Sequence, residues 1–207
     1  MRFPITVHRS RLGPQEFTVI RPAHPPESAV LVDDDWFLNA YVDQDAARLM
    51  GGLWSLAATS PHALIHLPLR RTDTSGDVGA RSLDLVLLHH SLQFAPSRWK
   101  ELRGRLDAGL RRTARVSTAR PKIDRAALNH SGYRDLFHHH VHARTLFVTG
   151  SAKAFQETAG LFHDVAEYGP GHTGSRHYCA QLRHHDDSAR DIHIEYRDTW
   201  GEEPASQ

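Results

Sequence analysis

Four stretches of this chain carry residue types at spacings that suit chemistry. The densest is His138-His139-His140-Val141-His142. In extended backbone, alternate side chains leave one face about 7 Å apart, so His138, His140 and His142 are expected to stand in a row. Imidazole nitrogens arranged this way can hold a divalent transition metal, with a carboxylate or a further histidine as the next ligand. His177, Asp191, His193 and Glu195 lie on neighbouring predicted strands and fit that role. The plainer alternative is a polar surface strand in a chain with seventeen histidines.

The second stretch is a pair of alternating runs at 177–183 and 191–197. Tyr178, Ala180 and Leu182 fall on one side of the first, and Ile192, Ile194 and Tyr196 on one side of the second. His177, Cys179, Gln181, Arg183, Asp191, His193, Glu195 and Arg197 are left on the other side, and all of them donate, accept or titrate. Imidazole titrates near neutrality and a carboxylate fixes its tautomer, which together make an acid–base unit. His177 or His193 is therefore the expected proton-transfer residue, Glu195 or Asp191 its orienter, and Arg183 or Arg197 the binder of an anionic substrate. Cross-strand ion pairing on an exposed sheet is the competing reading. Cys179 has only histidines nearby to mark it as a nucleophile.

Third, Gly169-Pro170-Gly171-His172-Thr173-Gly174-Ser175-Arg176 lies between a predicted helix and a predicted strand. Its backbone N–H groups, with His172 and Arg176, suit a phosphate. A helix stop explains the same glycines, and the Gly-Lys-Ser/Thr ending of a P-loop is missing. A Gly-rich turn at this point of a chain with two ferredoxin-like halves resembles the CRISPR RNA-processing endoribonucleases. The resemblance covers that loop and the general layout only, the N-terminal half has no matching motif, and no residue role or activity is carried over from it.

Fourth, residues 98–125 hold ten Arg or Lys against Glu101, Asp107 and Asp124. Such an excess can track a phosphodiester backbone or face an acidic protein. Trp99, the nearest stacking residue, falls on the predicted apolar stripe, and a solvated helix with an arginine-rich linker is the alternative. Asp33-Asp34-Asp35 can bind Mg²⁺ or Ca²⁺ but reads better as a solvated turn. No Ser-His-Asp order, Cys-x-x-Cys pair, Gly-x-Gly-x-x-Gly after a strand or His-Glu-x-x-His occurs.

These residues need a frame, and hydrophobic periodicity supplies one. Ala29-Val30-Leu31-Val32, Ala63-Leu64-Ile65-His66-Leu67 and 83–89 read as buried strands. Between the first two, Asp43 is a good cap for a helix with Ala46, Leu49, Met50, Leu53 and Ala57 on its apolar stripe, ending near Ser60-Pro61. Thr145-Leu146-Phe147-Val148 is a strand, and Ser151 caps a helix whose face carries Phe155, Ala159, Phe162 and Val165. Strand, helix, strand, strand thus occurs twice, and Gly52-Leu53-Trp54 matches Gly160-Leu161-Phe162.

The expected fold is α+β, two βαββ (ferredoxin-like) units in tandem at 28–120 and 144–198. A hairpin and connector occupy 1–27, a linking segment 121–143 and a frayed tail 199–207. A helix opening at Pro96, with Trp99, Leu102, Leu106 and Leu110 on one stripe, and a strand at 115–117 would complete a β-α-β-β-α-β order in the first unit.

The totals bound the function. The chain has 207 residues, enough for a sizeable core, and its single Cys179 excludes an internal disulfide and fits a reducing compartment. No run approaches the roughly 18 apolar residues of a membrane span, and a net charge of +1 gives no global pull towards nucleic acid or membrane. The expectation is a small cytoplasmic enzyme using histidine and carboxylate acid–base chemistry on an anionic small molecule or a phosphodiester. His177, His193 and Glu195 are its first candidates, and a divalent transition metal is a candidate cofactor. The alternative is a non-catalytic binding module that presents 98–125 to RNA or to an acidic protein. An open sheet edge offers a route to a homodimer.

Overall fold

The computed structural model describes residues 1–34, 37–70, 81–118, 137–171, 179–182 and 192–198, which form two sheets and three α-helices. β1 (Arg2–Leu12) and β2 (Gln15–Pro22) make an antiparallel hairpin that turns at Gly13, whose φ of +60° suits a residue without a side chain. A second hairpin, β3 (Ala29–Asp34) and β4 (Phe37–Val42), leads into α1 (Gln44–Thr59). The Asp43 side chain accepts the Ala46 N–H at 2.7 Å and so satisfies a donor that the first turn leaves free.

Then come β5 (Ala63–Leu67), β6 (Arg81–Ser82), β7 (Asp84–His89), α2 (Trp99–Gly104) and β8 (Leu110–Arg115). β9 (His138–His142) and β10 (Thr145–Gly150) form a third hairpin. α3 (Ala152–Tyr168) follows, capped by Ser151, whose side chain accepts the Ala154 N–H at 3.0 Å. β11 (Cys179–Leu182) and β12 (Ile192–Tyr196) close the order.

The larger sheet runs β8-β1-β2-β5-β7-β10-β9 and the smaller β11-β12-β4-β3-β6. Most neighbours are antiparallel, but β2 lies parallel to β5, β7 to β10, and β4 to β12. The α+β class expected from the alternation of elements is the one formed. Strands from both halves of the chain enter both sheets, because β10 joins β7 and β12 joins β4. The chain also crosses between sheets at Leu83, whose N–H donates to the Leu31 carbonyl at 2.8 Å.

One core lies between the sheets and the paired helices α1 and α3. It takes Leu31, Leu38 and Ile194 from the small sheet, Ile65, Leu85 and Leu146 from the large one, and the predicted stripes of both helices. The Trp54 and Phe162 rings meet at 4.5 Å. A Cβ on Gly51 would stand 2.9 Å from the His163 ring, so glycine allows the close helix approach there. A second core covers the other face of the large sheet, where Phe94, Trp99 and Leu102 pack on Phe17, Val19, Leu64, Val86 and Phe147.

The helix expected to run from Pro96 past Leu110 is shorter. α2 stops at Gly104, and Leu110 begins β8 with 62% of its surface exposed. Asp107 breaks the helix: its carboxylate accepts the N–H groups of Arg9 at 3.1 Å and Gly109 at 3.0 Å, and Gly109 turns the chain at φ +74°. The strand expected at 115–117 is instead β8, and it pairs with β1. Among the described residues no helix is long and apolar enough to cross a membrane.

Candidate anion-binding site on the large sheet

The alternating histidines lie on β9, the edge of the large sheet, with His142, His140 and His138 opposite Thr145, Phe147 and Thr149. Residues opposite one another in a ladder share a face, so the three histidines look the same way as Phe147 of the second core. The rings of His140 and His142 stack at 6.2 Å. Among the described residues no group of three or more His, Cys, Asp or Glu is disposed to hold a metal ion.

His193 and Glu195 lie on β12 of the other sheet, so the metal row and the acid–base pair are carried by different sheets. His193 is opposite Gln181 and Asn39, and Glu195 opposite Cys179 and Tyr41. The His193 ring sits 4.9 Å from Phe37, and the Arg197 guanidinium lies 5.9 Å over Tyr41. His172, Arg176, His177, Arg183 and Asp191 fall outside the described residues, as do Asp35 and residues 119–136 of the basic and linking segments.

The described part of the basic segment divides in two. Arg98 donates to Gln15 and to the Leu12 carbonyl, and Arg105 pairs with Glu101 at 2.8 Å. Trp99 is buried and unavailable for stacking. β8 then sets Arg111, Arg112 and Arg115, all exposed, opposite Thr6, Ile5 and Arg2.

Arg103 leads elsewhere, to a cluster on the outer face of the large sheet. β7 opens with Asp84 and β5 holds His66, and only 3% and 2% of their surfaces are exposed. Asp84 Oδ1 accepts the backbone N–H groups of Leu69 and Arg70, each at 3.1 Å. Asp84 Oδ2 accepts from Arg70 Nε at 2.8 Å and from Arg103 Nη1 at 3.3 Å, and lies 2.7 Å from Arg70 Nη2 in the same ion pair. Arg21 Nε donates to His66 Nδ1 at 2.8 Å. A guanidinium has only donors, so Nδ1 is the acceptor and the neutral ring carries its proton on Nε2. That nitrogen is 4.0 Å from Asp84 Oδ2, too far for a direct hydrogen bond.

Register extends this cluster into a row across the sheet. Arg111 is opposite Thr6, Thr6 opposite Arg21, Asp84 opposite Thr145, and Thr145 opposite His142. Arg21 follows Ile20 and His66 follows Ile65, which pair on β2 and β5. Trp99 covers the middle of the row from α2, its ring edge-on to His66 at 4.9 Å.

Burial sets the electrostatics. It pushes the His66 pKa below its ordinary 6.5; Asp84 opposes this, Arg21 and Arg103 reinforce it, and the ring stays neutral. Burial alone would raise the Asp84 pKa, but His66 and the side chain and backbone N–H of Arg70 outweigh it and hold the carboxyl far below the usual range. Burial also lowers the Arg21 pKa, helped by neighbouring Arg103 and opposed by Asp84. Among the described residues the cluster has three guanidinium groups, one carboxylate and a neutral imidazole, and so two more positive charges than negative ones. The Nδ1 lone pair of His66 is taken by Arg21, so the buried ring has no free lone pair with which to act as a base.

Sequence reasoning passed over this cluster, although one signal was present. Asp84 and His66 each interrupt an otherwise apolar strand, and a buried carboxylate needs a cation. Comparison with known protein families, curated proteins and solved structures returns no match.

Proposed function

We propose that this chain is a non-catalytic RNA-binding module whose contact surface is the arginine-bearing edge of the large sheet. One observation carries the reading. The paired strands β1 and β8 hold Arg2, Arg9, Arg11, Arg111, Arg112 and Arg115 and no carboxylate of their own; Arg9 pairs with Glu16 of β2 at 3.3 Å, and Arg2 is directly opposite Arg115. Like charges opposite one another destabilise a ladder; a polyanion laid along the edge offsets that cost. Guanidinium forks also match phosphate oxygens in pairs.

The test is anisotropy of a labelled single-stranded RNA over a range of salt concentrations. Replacing Arg111, Arg112 and Arg115 with Gln should weaken binding and flatten the log–log salt dependence by about 2, at about 0.7 per lost phosphate contact. Binding of polyglutamate but not RNA would replace the nucleic acid with an acidic protein. RNA binding untouched by the triple substitution would remove the surface.

The register of β12 favours a second reading, the small acid–base enzyme, because it lines up His193 and Glu195 with Gln181, Asn39, Cys179 and Tyr41. That reading expects the wild type to cleave the bound RNA and His193→Ala to stop cleavage without unfolding. RNA recovered intact from the wild type counts against it. We also read the chain as two βαββ, ferredoxin-like halves; because β4, and not the expected strand at Ala29–Val32, leads into α1, the halves are β4-α1-β5-β7 and β10-α3-β11-β12, with first strands exchanged between sheets. The contact between Trp54 and Phe162, which occupy matched positions in the two helices, supports this.

A further inference from the structure

The cluster around Asp84 has features that protein stability alone does not call for. Arg70 and Arg103 bind one carboxylate and Arg21 binds the buried, neutral His66 beside it, leaving a surplus of two positive charges among the described residues. Arg70 and Arg103 keep 26% and 36% of their side-chain surface exposed, so solvent-borne ions reach them. Nη1 and Nη2 of Arg21 and Nε and Nη2 of Arg103 are not needed by His66 or Asp84.

A second observation points the same way. His66, Trp99 and Thr145 are each more than nine-tenths buried, and among the described residues His66 Nε2, Trp99 Nε1 and Thr145 Oγ1 have no hydrogen-bond partner. All three atoms can donate. Trp99 touches the His66 ring and Thr145 is opposite Asp84. Buried donors in native proteins almost always have acceptors, so one face of the sheet combines excess positive charge with unused donors.

We propose that this face is a seat for a doubly charged tetrahedral oxyanion, the phosphate of a monoester or free inorganic phosphate. Its charge matches the surplus, and its oxygens suit the remaining donors of Arg21 and Arg103, with Arg70 adding charge beside them. The phosphodiester reading of the β1–β8 edge uses other arginines, so either site stands if the other falls.

The test uses the full chain, titrated with inorganic phosphate, a nucleoside 5′-monophosphate and the parent nucleoside at matched ionic strength. Binding is followed by thermal midpoint and by ³¹P line width, which reads the ligand and not the fold. Phosphate should raise the midpoint with the logarithm of its concentration, and Arg103→Gln should weaken binding about tenfold or more while leaving the circular dichroism unchanged. Arg103→Lys should recover part of the loss. Equal affinity for phosphate and monophosphate assigns the site to free phosphate; tighter monophosphate with no binding of the nucleoside assigns it to esters. The proposal is overturned if phosphate does no more than sodium chloride, or if Arg103→Gln lowers the midpoint but leaves the phosphate response intact.

Discussion

His66 shows how a single residue can be set by its neighbours. Arg21 takes the lone pair on Nδ1, and the surrounding sheet and Trp99 remove water, so protonating the ring in the folded state is disfavoured. The unfolded chain binds that proton at the ordinary value of 6.5, whereas the folded chain binds it only at lower pH. Between those two values the unfolded state holds more protons, so stability rises with pH and falls on acidification, by up to about 1.4 kcal/mol per pH unit. Asp84 acts in the same direction at lower pH: its depressed folded value gives stability that is whole above 3.8 and lost below it. Urea midpoints for wild type and His66→Gln, measured from pH 7.5 to 5, should converge as the pH drops. Parallel curves would show that His66 does not titrate with folding. At this scale the sequence marked the unusual residue without naming its partner. His66 stands out in Ala-Leu-Ile-His-Leu, but nothing near it in the chain announces Arg21, forty-five residues earlier.

Elements with their own stop and start signals were legible. Asp43 and Ser151 cap α1 and α3, and the apolar stripes predicted for both helices are buried, with Leu49 only partly so. The hairpin of β9 and β10 was not legible, because its two-residue turn is Ala143-Arg144, with φ of +45° and +62°. Such turns normally take Asn-Gly, since left-handed backbone costs roughly 1–2 kcal/mol for a residue with a side chain. The strain is held in place partly by the Arg144 carbonyl, which accepts the Asp84 N–H at 3.0 Å. Ala143→Asn combined with Arg144→Gly should therefore raise stability by about 1 kcal/mol, seen as a higher urea midpoint at unchanged slope. A lower midpoint would mean that the side chains contribute more than the backbone strain removes. α2 failed as a sequence expectation for a related reason: its periodicity continues to Leu110, but Asp107 and Gly109 turn the chain towards β1, a strand far away in sequence.

For the whole molecule, the exchange of strands has a mechanical consequence. β7 pairs with β10 in one sheet and β4 with β12 in the other, so each sheet draws strands from both halves of the chain and neither half closes a sheet alone. Trp54 reports on the core between the sheets and Trp99 on the core under α2. With the other tryptophans replaced by Phe, each should unfold at the same urea concentration as the backbone signal, as a single cooperative transition demands. Separate midpoints would show two independent bodies.

Read alone, the sequence determined the α+β class, both long helices with their caps, the C-terminal hairpin, and which side chains share a face along each strand. Those are local properties, set by periodicity and by hydrogen bonds that reach only a few residues. The tertiary structure alone decided which strands lie side by side, and with that the meeting of Arg21, His66, Asp84 and Arg103 and the run of arginines along β1 and β8. A strand's period fixes which way a residue faces but carries no information about its neighbour across the ladder, and charges act on whatever the fold brings within a few ångströms.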